Sequence, residues 1–115
     1  MEFKITQQGE VQVVHLLGDK LNAANSKVFR DALAPTFSAG GKFVLDLQNL
    51  GFMDSSGIGA LLSCLRQANE AKGDIKLCNV QKPVQILFQL VRMNRVFDIH
   101  STVTLAVEAY QNGTQ

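Results

Sequence analysis

The stretch Val11 to Gly18 carries apolar side chains on both faces of an extended segment, with Val11, Val13, His15 and Leu17 on one and Val14 and Leu16 on the other. A strand apolar on both faces is expected to be covered on both sides. Phe43 to Leu47 is a second short run of this kind, rich in aromatic and β-branched residues, and it too reads as a buried strand. Beyond it lies an apolar series at helical spacing, Ile58, Leu61, Leu62, Leu65 and Ala68. A chain that alternates such strands with such helices is expected to build an α/β fold around a mostly parallel sheet.

The rest of the pattern fills in that alternation. Phe3 to Thr6 and Val11 to Gly18 read as a hairpin turning near Gln8-Gly9. Asn25 to Phe37 reads as a helix with the stripe Phe29, Ala32, Leu33 and Phe37, capped by Asn25 or Ser26 and kinked or ended by Pro35. The helix after Asp54, starting near Gly57, is expected to stop at Lys72-Gly73. Ile75 to Val80 is a strand, and Pro83 opens a helix whose core stripe is Val84, Leu87, Phe88 and Val91, with Arg92 and Arg95 suiting its negative pole. A short extended piece at Phe97 to Ile99 leads to a last helix capped by Ser101 or Thr102 and carrying Leu105, Ala106, Ala109 and Tyr110. Residues 1–110 are expected to form a single domain, and residues 111–115 a frayed tail.

Composition narrows the function. With 115 residues, 46% of them hydrophobic and 18% charged, the chain can bury a core without staples. A net charge of +1, scattered cations, one Tyr and no Trp leave no footprint for nucleic acid. Cys64 and Cys78 have no metal-site spacing and are expected to be reduced core thiols, so no cofactor or metal is implied. No apolar run is long enough for a signal peptide or a membrane span, so the chain reads as cytoplasmic. No surplus apolar stripe is visible, and a monomer is expected.

One segment carries chemistry. In Phe52-Met53-Asp54-Ser55-Ser56-Gly57-Ile58-Gly59 a carboxylate, two hydroxyls and two glycines meet at a helix start. Asp54 or Ser55 can cap that helix, an effect of about 1 kcal/mol. Ser56 then falls in the first turn with its hydroxyl toward solvent. A phosphate there adds about −1.5 to −2 charges beside the positive pole of the helix, which the fold tolerates. The same charge, opposed by Asp54, would weaken any partner pressed against the loop.

The stretch Val44-Leu45-Asp46-Leu47, followed by Leu50-Gly51-Phe52-Met53-Asp54-Ser55-Ser56-Gly57-Ile58-Gly59, resembles the signature of STAS domains in bacterial anti-sigma factor antagonists. Gly18 to Asn25 resembles that family's G-x-L-D-A-A-N segment, and Phe97 to Ala106 its F-x-I-x-x-T segment. The resemblance runs along almost the whole chain. It implies a STAS fold, with a four- to five-stranded mixed sheet flanked by about four helices. It also implies a switch: the unphosphorylated protein binds a serine-kinase anti-sigma factor and frees the sigma factor. Phosphorylation of Ser56 by that kinase releases it, and a protein phosphatase resets it. On this reading the chain is a substrate and catalyses nothing. Its partner-binding residues would be Asn22, Leu50, Phe52, Met53, Asp54, Ser55, Gly57 and Ile58; of these, Leu50, Phe52, Met53 and Ile58 read either as exposed apolar contacts or as side chains packing the loop onto the core. Two departures stand out. Asn22 replaces the family's Asp, and one extra residue separates Gly18 from Leu21.

Other readings carry less. A serine nucleophile with His15 or His100 as base lacks the G-x-S-x-G elbow, and an anion cradle at Gly57-x-Gly59 lacks a following lysine. A STAS adaptor in a stressosome-like or transporter-associated complex, without switching at Ser56, is the nearer alternative.

Overall fold

The structure, a computed structural model, describes residues 1–112. Gly9, at a φ of +62°, turns β1 (Phe3–Gln8) back into β2 (Val11–Leu16), and the two pair antiparallel with Phe3 opposite Leu16. The short β3 (Lys20–Leu21) leads to α1 (Ser26–Ser38), then β4 (Lys42–Asp46), the short β5 (Phe52–Met53) and α2 (Ser55–Glu70). β6 (Asp74–Cys78), α3 (Lys82–Leu90), a 3-10 turn (Met93–Arg95), β7 (Ile99–His100) and α4 (Val103–Gln111) complete the chain.

The main sheet is five-stranded in the order β1-β2-β4-β6-β7, antiparallel at β1 and parallel elsewhere. β3 and β5 form a separate parallel pair, Lys20 opposite Phe52 and Leu21 opposite Met53. A mixed sheet with four helices is the expected architecture, and the alternation of β-branched runs with helical stripes produces it.

The two sheet faces are unequal. Val14 and Leu16 of β2, Phe43, Leu45 and Leu47 around β4, and Ile75 and Leu77 of β6 bury into one large core with α1, α2 and α3. Phe29, Leu33 and Phe37 enter it from α1, and the Phe37 and Phe43 rings meet edge to face at 4.9 Å. Val11, Val13, Val44 and Cys78 point the other way, under Ala106 and Val107 of α4. Both cysteines are buried and free, and burial pushes each thiol up to about 12.

Several local expectations change. α1 runs through Pro35 to Ser38, because Pro35 lies on its exposed side, where water can take up the carbonyl left without a donor. Ala32 is exposed and not part of the stripe. Leu17 lies beyond β2, and Val91 and Leu105 sit on outer helix surfaces; all three are about half exposed. α2 ends with Lys72 in the left-handed region at φ 66°, so the turn falls one residue before the glycine. Arg92, also left-handed, follows α3 instead of lining its last turn. Gln111 belongs to α4, while residues 113–115 of the tail lie outside the described residues.

Candidate functional site

α2 begins at Ser55, two residues before Gly57, because Asp54 is its N-cap. The Asp54 backbone is extended, and its Oδ1 accepts from the Ser56 amide at 2.9 Å and the Gly57 amide at 3.1 Å. Two of the helix's orphan donors are satisfied by one carboxylate oxygen. The other oxygen, Oδ2, accepts from the Ala23 amide at 3.2 Å and so reaches across to the segment before α1.

That segment is built to meet it. Asn25 occupies the N-cap position of α1 but does not cap the helix with its side chain. Its Oδ1 accepts from the Asn22 amide at 2.9 Å, and its Nδ2 donates to the Lys20 carbonyl at 2.9 Å. The Asn22 side chain in turn accepts from the Ala24 amide at 3.0 Å. Asn22 and Asn25 thus fold residues 20–25 into a compact turn that offers the Ala23 amide to Asp54. An acidic residue in place of Asn22 could accept the same bond; with the neutral amide here, Asp54 is the carboxylate that joins the two segments.

Two backbone approaches lock the pair of segments together. The Asp19 carbonyl accepts from the Gly51 and Phe52 amides at 2.8 and 3.2 Å, and the Leu21 carbonyl from the Asp54 amide at 3.3 Å. Gly57 sits directly beneath: a Cβ there would lie 2.6 Å from the Leu21 carbonyl oxygen and 2.6 Å from Met53 Cγ. Only a residue without a side chain lets α2 come this close to β3. Gly59 has open space around it, so the two glycines of the motif differ in function.

On this frame the expected contact residues separate into two sets. Ser55 and Phe52 are exposed, Phe52 by 52%, while Asn22, Asp54 and Ser56 are half-buried. Leu50, Met53 and Ile58, which the sequence leaves open to exposure as apolar contacts, are instead buried in the main core, at 0%, 6% and 9% exposure. The reason is the β3–β5 pair, which turns Met53 inward and Phe52 outward, and the α2 stripe, which carries Ile58 beneath. Gly57 is buried as well.

The loop into this site is anchored from the other sheet face. Asp46, buried at the end of β4, accepts from the Gln48 amide at 3.1 Å, from Asn79 Nδ2 at 2.9 Å and pairs with His15 Nδ1 at 2.7 Å. His15 Nε2 is 3.0 Å from Thr6 Oγ1, so both ring nitrogens are engaged away from the serines. Composition and periodicity do not mark the Ala23 amide, the Asn25 buttress or this Asp46 network, since each depends on how separate segments of the chain meet. Among the described residues no cluster of three His, Cys, Asp or Glu could hold a metal ion, and no helix is long and apolar enough to cross a membrane.

A sheet of this order, with an Asp-capped helix opening on paired serines beside a two-strand edge, defines a STAS domain, and comparison with known proteins agrees. The STAS domain family model matches residues 2–106, and the chain belongs to that family. It is 37% identical over 57 residues to the anti-sigma F factor antagonist of Paenibacillus polymyxa, a match spanning 50% of this chain and 49% of that one. To the anti-sigma-B factor antagonist of Bacillus subtilis it is 23% identical over 93 residues, 81% of this chain and 85% of the relative. In three dimensions it superposes on structures of SpoIIAA, an anti-sigma factor antagonist and Bacillus cell fate determinant. The unphosphorylated form gives a TM-score of 0.75 at 22% identity, covering 99% of this chain and 100% of that one. The phosphorylated form gives 0.66 at 23%, covering 93% and 97%.

Proposed function

We propose that this chain is an anti-sigma factor antagonist switched by phosphorylation of Ser56. Unphosphorylated, it binds a serine-kinase anti-sigma factor and frees the sigma factor. The kinase phosphorylates Ser56, the complex dissociates, and a protein phosphatase restores the binding form. The chain acts in the cytoplasm as a monomer, is a substrate in this cycle and catalyses nothing.

The observation that carries the reading is the placement of Ser56. It is the second residue of α2, its amide already held by Asp54 and its side chain half-buried. A phosphate on its oxygen adds negative charge within a residue or two of the Asp54 carboxylate. The helix pole and the free edge of the first turn soften that repulsion for the folded domain. A partner surface covering Ser55, Phe52 and Asn22 has no such compensation and must desolvate the added charge. Binding is therefore lost while the fold persists. Leu50, Met53, Gly57 and Ile58 support this surface from below.

The test uses wild-type and Ser56→Asp proteins as baits in lysate of the native cell, with bound proteins identified by mass spectrometry. A serine-kinase partner held by wild type and lost by Ser56→Asp supports the switch. Equal capture by both baits overturns it and leaves a constitutive STAS adaptor, of the stressosome-like or transporter-associated kind. Phosphate incorporation into Ser56→Ala but not Ser55→Ala would move the site by one residue.

A further inference from the structure

Among the described residues ten large apolar side chains are exposed, and four of them, Ile86, Leu90, Val91 and Val96, fall within eleven consecutive positions. Scattered apolar residues on a surface need no explanation, but a cluster does. Ile86 and Leu90 stand one turn apart on α3, on the far side from the buried Val84 and Phe88, and Leu90 is 76% exposed. Val91 ends the helix, and the left-handed Arg92 turns the chain into the 3-10 segment that precedes Val96. Val96 in turn lines an open groove of about 500 Å³ whose other wall is α2, through Leu62, Leu65, Arg66, Asn69 and Glu70.

The charge of this region is mainly positive, with Glu70 as the carboxylate on the groove wall. Between Gln81 and Phe97 the sequence holds Lys82, Arg92 and Arg95 and no acidic residue, and Arg66 stands on the groove wall. All four cations are exposed, and among the described residues none of them takes part in an ion pair. An apolar ledge rimmed by unpaired guanidinium groups fits an occupant that is apolar on one stripe and acidic on its flanks.

We propose that this ledge and groove form a docking surface for an acidic amphipathic helix of a partner protein. Leu90 and Val96 seat its apolar stripe, and Arg66, Arg92 and Arg95 pair with its carboxylates. A second copy of this chain fits poorly, because a two-fold contact would set the same cations against each other. An anionic membrane also fits poorly, because a flat surface does not enter the groove between Val96 and the α2 side chains. The surface assumes nothing about Ser56. Arg66 lies ten residues along α2 from Ser56, a rise of about 15 Å, beyond the screening distance of about 8 Å at physiological salt. A partner held here stays attached whether or not Ser56 is phosphorylated.

The test is titration of the full chain with a fluorescein-labelled helical peptide of about 18 residues, bearing leucines at helical spacing flanked by glutamates. A counterpart with lysine for every glutamate, and phosphatidylglycerol vesicles, serve as controls. The acidic peptide should bind and shift the backbone amide resonances of residues 86–96 and of the second half of α2. Leu90→Ser, and separately Arg92→Glu with Arg95→Glu, should each weaken it about tenfold or more, while far-ultraviolet circular dichroism stays unchanged. Ser56→Asp should leave the affinity within about twofold, which separates this surface from the proposed switch. The proposal is overturned if the acidic peptide does not bind, if the basic peptide binds equally, or if the variants bind as wild type does. It is likewise overturned if the vesicles bind and the peptide does not, or if sedimentation shows a dimer that Leu90→Ser dissolves.

Discussion

The two faces of the sheet solve the same problem with different materials. Toward α1, α2 and α3 the strands contribute Val14, Leu16, Phe43, Leu45, Ile75 and Leu77 to a continuous apolar core of twenty-four buried residues. Toward α4, a helix of nine residues, the apolar cluster has six, and the same strands carry His15, Asp46 and Lys76 beside it. The face under α4 carries these polar groups among its apolar ones, and each of the three is satisfied individually. Asp46 is held by His15, Gln48 and Asn79; Lys76 donates to Asp98 at 2.6 Å and lies 4.6 Å from the centre of the Tyr110 ring. Tyr110 donates its hydroxyl to the Phe43 carbonyl at 2.8 Å, and burial pushes its ionisation well above the usual phenol range. This asymmetry locates the rigid part of the candidate site. Ser56 and its loop stand at the end of the thick apolar face, on backbone contacts too close to slide.

Truncating each core in turn should give the greatest change and puts the asymmetry directly at risk. Leu61→Ala on the thick face should cost about 3 kcal/mol, and Val107→Ala under α4 about 1 to 1.5 kcal/mol, by urea denaturation. Because leucine loses more side chain than valine, equal costs would mean that the α4 face is the more tightly packed of the two and would reverse the asymmetry. Gly57→Val probes the site end of the thick face. The new Cβ meets the Leu21 carbonyl and Met53, so α2 must back away, costing about 2 kcal/mol and shifting the amide resonances of residues 20–24. Amide spectra that leave those residues in place would show that the contact with β3 is not what sets the loop. On the thin face, Tyr110→Phe removes one buried hydrogen bond and should cost about 1 kcal/mol without changing the site.

The mildest change is one of pH. The hydrogen bond and charge of Lys76 hold the Asp98 carboxyl below its ordinary value of 3.8. A carboxylate lowered in the folded state contributes stability above its unfolded value and loses it as pH falls through the folded one. Asp98→Asn should therefore flatten the acid side of the stability profile below about pH 4. The loss appears at neutral pH, where the contribution is fully present, and it should be small there because the Asp98 side chain is 66% exposed and the pair is screened. A neutral-pH loss comparable to that of Leu61→Ala would place Asp98 among the main supports of the α4 face.

Much of the fold is legible from periodicity because each helix and strand announces its own inward face. The stripe Ile58, Leu61, Leu65, Ala68 and the both-sided apolarity of Val11–Leu16 are local signals, and they place α2 and β2 without any long-range contact. The Asp54 cap is legible for the same reason, since a cap acts within three residues. β3 and β5 are not: two residues each are too short for a period, and they exist only by pairing with each other. The exposed reading of Met53 fails on that missing pair, because which side chain of β5 turns inward depends on the strand beside it, whereas the burial of Ile58 follows from the α2 stripe itself.

The four helices and the strands of the main sheet, their order, the capped helix start and the serine pair upon it rest chiefly on interactions between residues a few positions apart, and the amino-acid order alone suffices for them. Three features needed the folded sheet: Asp54 also holds Ala23 across thirty-one positions, Gly57 admits the Leu21 carbonyl, and Phe52 alone of the loop's large apolar residues reaches solvent. The division is one of range. Propensity and periodicity are written along the chain, whereas burial and hydrogen-bond partnership belong to pairs of segments that meet only once the sheet has formed.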